Sequence, residues 1–125
     1  MRTRNLLLPA LLILTVFCSA GKTLAQKTEN WETLIVKEGV SMYYELGNCL
    51  KRDVIFLKIE NTGENDINLI WSLWEGQDKK SVRINAGQTI TGACVNRLPE
   101  HSLIEFIPDG KSAEDIHPVI EIIVL

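Results

Sequence analysis

A chain of 125 residues with 46% apolar content is long enough for one folded core and too short for several domains. The formal net charge is −3, with acids in excess, which argues against nucleic acid or anionic lipid as a partner, since both need a basic surface.

The chain opens on MRTRN, which carries two arginines and no acid. Leu6–Phe17 is then an apolar run of 12 residues, followed by small residues. This is the three-part layout of a secretory signal peptide, and the run is too short to span a bilayer. Cleavage after Ala20 or after Ala25 fits the small-x-small rule, and the second leaves Gln26 as the new N-terminus. Residues 1–25 are therefore expected to be a signal peptide and 26–125 a single exported domain, secreted or periplasmic. Removing Arg2, Arg4 and Lys22 leaves ten bases against all 16 acids, a net charge of about −6. Either cut discards Cys18. The alternative is a surface lipoprotein anchored at Cys18, but Val16-Phe17 departs from the small residues expected before a lipidated cysteine.

QKTENWETL (Gln26–Leu34) reads as a loose or briefly helical lead-in. From Glu38 onward, apolar residues recur with period two, as half-buried strands require. Val40–Glu45 alternates Val40, Met42 and Tyr44 against Ser41, Tyr43 and Glu45. Val54–Glu60 alternates in the same way, as does Ile67–Trp74. The polar NTGEND between these last two, with Gly63, suits a hairpin reversal. Ser81–Ile84, Thr89–Cys94 and Ser102–Ile107 follow as short strands, the last closed by Pro108-Asp109-Gly110. Val119–Leu125 is nearly continuous in apolar residues, which suggests a final strand buried on both faces or flanked by a covering loop. Together these predict an all-β fold, an immunoglobulin-like antiparallel β-sandwich of about seven strands.

Cys49 and Cys94 form an even pair in an exported domain, for which a disulfide is the default reading. The alternatives are free or metal-bound thiols. GACVNRLPEH puts Cys94 seven residues before His101, and a Cys–His pair can form a nucleophile when the two side chains meet in space. His101 and His117 lie in no ligand-spaced cluster. Glu60, Glu64 and Asp66 offer oxygens of the kind calcium takes, at a spacing that matches no EF-hand. Paired carboxylates for glycoside hydrolysis leave no sequence signature. No phosphate loop, zinc signature or Ser-His-Asp motif appears. The chain is thus expected to have no catalytic residues, no metal and no cofactor.

Trp71 and Trp74 differ by three, so on one strand they face opposite ways. With Trp71 on the core face, Trp74 points outward as a possible contact for a partner protein or sugar. The structural alternative is that Trp74 covers the sandwich edge or packs under the turn at Glu75–Lys80.

GVSMYYELGNC (Gly39–Cys49), FLKIENTGENDINLIW (Phe56–Trp71) and INAGQTITGAC (Ile84–Cys94) cover 38 of the 100 residues beyond residue 25. In these motifs the chain resembles small exported bacterial proteins of unassigned function with an immunoglobulin-like sandwich and a Cys…Gly-x-Cys pattern. It departs from true immunoglobulin domains, because Gly92 stands where their tyrosine would precede the second cysteine. The resemblance implies a scaffold and a disulfide, with no catalytic residue and no ligand. The function expected is a non-enzymatic binding or interaction module for an envelope protein or glycan. A small secreted hydrolase or thiol enzyme using Cys94 or paired carboxylates is the alternative.

Overall fold

The computed structural model describes residues 30–125. The expected signal peptide, both cleavage sites and Cys18 lie outside the described residues. Eight strands follow in order: β1 (Glu32–Lys37), β2 (Val40–Cys49), β3 (Arg52–Asn61), β4 (Ile67–Ser72), β5 (Lys80–Ile84), β6 (Thr89–Thr91), β7 (Ile104–Phe106) and β8 (Val119–Val124). Short 3-10 turns occupy Glu100–Leu103 and Ala113–Asp115. Every strand pairing is antiparallel.

One sheet runs β1-β2-β3, with β6 and β7 both paired to β3 at different heights. The other runs β5-β4-β8. Their inner faces enclose one core containing Met42, Ile55, Leu57, Ile59, Leu69, Trp71, Ile84 and Leu103. The fold is an all-β antiparallel sandwich, as the period-two pattern predicts.

The strand beyond the expected seven is β1, which takes in Glu32–Leu34 of the expected helical or loose lead-in. Its register shifts between Thr33 and Ile35, so two residues oppose one on β2. Such a bulge breaks period two in the sequence, which hides the strand from a pattern reading. A tight reversal through Glu38 (φ 48°) and Gly39 (φ 82°) leads into β2.

NTGEND does not close a hairpin. β3 and β4 belong to different sheets, and the segment arches between them. Asn61 holds the arch from inside: its Nδ2 donates to the carbonyls of Asn65 (2.8 Å) and Ile84 (3.2 Å), and its Oδ1 accepts from the Gly63 N–H (3.1 Å). The buried amide is thereby satisfied on both its donor and acceptor sides.

The run through Cys94 stops being strand at Thr91. Gly92 still donates its N–H to the Leu57 carbonyl at 2.8 Å. A side chain at Gly92 would overlap the Leu103 carbonyl, so only glycine permits this close approach.

β8 is an edge strand and is not buried on both faces. Only β4 pairs with it. Ile120 enters the core and Ile122 packs against it, whereas Val119, Ile123, Val124 and Leu125 are exposed. An apolar run reports hydrophobicity on both faces of a strand without showing that a second layer covers the outer one.

Candidate functional site

β2 and β3 are joined by a two-residue turn whose residues, Leu50 (φ 52°) and Lys51 (φ 65°), both lie in the left-handed region. Twist matching requires that conformation in a two-residue hairpin, and Asn or Gly usually supplies it. Here a leucine adopts it and is 93% exposed. Backbone strain of this kind, on an apolar side chain held in water, directs attention to what surrounds it.

Cys49, immediately before the turn, is bonded to Cys94, with Cα atoms 5.8 Å apart. The sulfurs do not face the main core. Alternation along β3 sends Ile55, Leu57 and Ile59 inward and Val54 and Phe56 to the opposite face. There Cys49, Val54 and Ile104 form a second buried cluster, with Phe56 against it. Gly47 makes room for the ring, since a Cβ at that position would overlap Phe56. The disulfide thus pins the loop after Gly92 across the outer face of the five-stranded sheet.

Between this loop and the sheet lies a cavity of about 320 Å³, walled by the disulfide, Leu50, Val95, Ile104 and Phe106, with Asn96 and His101 as its polar members. No acidic residue lines it. The Arg52 guanidinium sits over the Phe106 ring, 4.2 Å from its centroid, a favourable cation–π arrangement that holds the charge beside the cavity. Lys51 follows Leu50 on the turn. Arg97, further along the pinned loop, is 3.5 Å from Glu100. A second leucine on that loop, Leu98, is 75% exposed.

The structure brings Cys94 and His101 to one cavity, which their separation in sequence does not reveal. Cys94 Sγ is committed to Cys49, however, and no free thiol faces the imidazole. His117 lies away from this cavity, and its backbone N–H donates to the Leu73 carbonyl at 2.7 Å.

Trp74 does not point outward. It is 2% exposed and joins the main core. β4 ends at Ser72, so strand alternation no longer governs residue 74, and the turn folds both Leu73 and Trp74 inward. The Gln77 side-chain carbonyl holds this turn by accepting from the Leu73 N–H at 2.9 Å. The Trp74 indole N–H donates to the Ser112 carbonyl at 3.4 Å.

Of the acidic residues around the arch, Asp66 and Glu60 serve local structure. Asp66 accepts from the Ala86 N–H at 2.9 Å and faces Arg83 at 3.3 Å. Glu60 accepts from the Tyr43 hydroxyl at 2.7 Å, and that bond to a carboxylate raises the Tyr43 pKa above its ordinary 10.0. Glu32 acts likewise on Tyr44. Among the described residues, no group of three or more His, Cys, Asp or Glu side chains gathers around one point.

A carboxylate that sequence reasoning missed is Glu105, 1% exposed within the sandwich. It accepts from Trp71 Nε1 (3.0 Å), Gln77 Nε2 (3.0 Å) and Lys80 Nζ (3.3 Å). A signal existed: alternation in SLIEFI places Glu105 on the same face as Leu103, where an apolar residue is expected.

Neither a family model, nor a curated protein, nor a solved structure matches this chain. Its class is defined by its own architecture, a two-sheet β-sandwich with a disulfide-pinned loop on its outer face.

Proposed function

We propose that this protein is an exported, non-enzymatic binding module whose contact surface is the outer face of the five-stranded sheet, at the disulfide. One observation carries the reading: an apolar cavity opens beside an exposed leucine that is held there by a left-handed turn. Apolar concavities with few polar groups are the usual form of small-ligand sites. The disulfide is compatible with an oxidising compartment. No helix among the described residues is long and apolar enough to cross a membrane. The immunoglobulin-like arrangement belongs to the same proposal. It is supported by β3 pairing with β6 while β4 pairs with β8, a distribution like that of B with E and C with F in such domains.

The thiol-enzyme alternative requires Cys94 free, whereas its sulfur is bonded to Cys49. The test is photo-crosslinking from a diazirine amino acid at position 50 in the protein within its native envelope fraction. Adduct formation at position 50, and none from the same probe at Ser81 on the opposite sheet, is expected. Equal labelling at both positions would remove the site from consideration.

A further inference from the structure

We propose that the cavity beside Cys49–Cys94 takes the alkyl chain of a single-chain carboxylic acid, with the acid group at Lys51 and Arg52. The inference rests on the binding reading above and specifies its ligand.

Three observations carry it. The first is the chemistry of the walls. Leu50, Val95, Ile104, Phe106 and the disulfide are apolar, and among the lining residues Asn96 and His101 alone carry polar side chains. A bound peptide would bury more amide groups than these two side chains can satisfy, at substantial free-energy cost. A saturated chain has no such groups to satisfy. At about 320 Å³ the cavity is at the small end of ligand sites, a size that suits one chain better than a two-chain lipid.

The second is charge. From residue 26 onward acids outnumber bases, yet no acid lines the cavity, and Lys51 and Arg52 follow the wall residue Leu50 directly. Arg52 is anchored over Phe106, itself a wall residue, so its guanidinium stays near the apolar surface without needing a carboxylate partner. The overall negative charge, which argues against a broad anionic surface as partner, does not oppose one acid group at this location.

The third is exposure. Leu50, a wall residue, is 93% exposed, an apolar side chain with much to gain from a chain laid against it. The left-handed conformation of Leu50 and Lys51 closes the two-residue turn on which both residues sit, at the end of the β2–β3 hairpin.

The experiment is calorimetric titration of the disulfide-intact protein with hexanoate, octanoate and decanoate, beside decanol and dodecylmaltoside as uncharged probes. Affinity should rise about fourfold per added methylene until the cavity is filled. The double variant Lys51→Glu/Arg52→Gln should weaken decanoate about tenfold at low salt and leave decanol unchanged. Val95→Trp, at a partly exposed wall position, should block both, with an unaltered melting curve showing that the fold survives.

Binding of uncharged and charged chains with equal affinity would overturn the acid-group assignment while leaving a binding cavity. Absence of saturable binding for every chain would overturn the ligand class, and position-50 crosslinking would then judge the binding reading by itself. Association with anionic phospholipid vesicles, without one-to-one binding of free acid, would replace the proposal with membrane docking.

Discussion

Trp71 Nε1 donates to Glu105 Oε2 at 3.0 Å, and this bond joins the two sheets through the core, since Trp71 lies on β4 and Glu105 on β7. The second carboxylate oxygen accepts from Gln77 and Lys80, so one buried group organises three partners from the opposite sheet and its turn. Glu105→Ala leaves the buried indole N–H without its acceptor and the Lys80 ammonium with the Ile104 carbonyl alone, and should destabilise the fold by about 3 kcal/mol. Glu105→Gln retains an acceptor oxygen and should cost less. Urea unfolding measures both, and a loss below about 1 kcal/mol for the alanine variant would remove the network from the account of stability.

The disulfide closes a long loop, its cysteines 45 positions apart. Chain entropy predicts that its reduction costs about 4 kcal/mol, with the pinned loop released from the outer face. Alkylation of the native protein should label no cysteine of the 26–125 domain before reduction and two afterwards. Ready labelling of Cys94 without reductant would favour the thiol-enzyme alternative.

Gly47 and Gly92 predict different severities for one added methyl group. Gly47→Ala collides with the Phe56 ring, which can shift, at an expected cost of about 1–3 kcal/mol. Gly92→Ala collides with the Leu103 backbone carbonyl, which cannot move without disturbing the chain that leads into β7. Denaturation midpoints should place the Gly92 variant well below the Gly47 variant.

The turn at Leu50 and Lys51 predicts an opposition between stability and binding. Replacing them with Asn and Gly relieves two left-handed positions and should stabilise the fold by about 1–2 kcal/mol. The same change deletes a cavity wall and a cation and should weaken ligand capture. Melting curves and decanoate titrations on the one variant test both halves.

The two tyrosines should titrate late. Tyr43 and Tyr44 donate to Glu60 and Glu32, and each bond exists only while the hydroxyl keeps its proton. The stability these bonds contribute is fully present below the ordinary pKa of 10.0 and is lost as pH rises through the higher folded values. Tyrosinate absorbance should therefore lag behind that of the unfolded chain, and Glu60→Gln should return Tyr43 toward 10.0.

By itself the sequence determined the fold class, the approximate position of most strands and the pairing of Cys49 with Cys94. Period two is written along Val40–Glu45, Val54–Glu60 and Ile67–Ser72 because each strand must divide its side chains between two faces. What alternation cannot record is what covers a face. The apolar β8 therefore lies at an open edge, and the outward residues Val54 and Phe56 gain cover only because the disulfide brings a distant loop over them. Alternation also lapses where a strand stops or bulges, which is why Trp74 turned inward and β1 went unseen. Tertiary structure decided the candidate site itself. Leu50, Val95, Ile104 and Phe106 come from a turn, a loop and a strand, and they meet because antiparallel pairing and one covalent bond fold separate segments onto the same face.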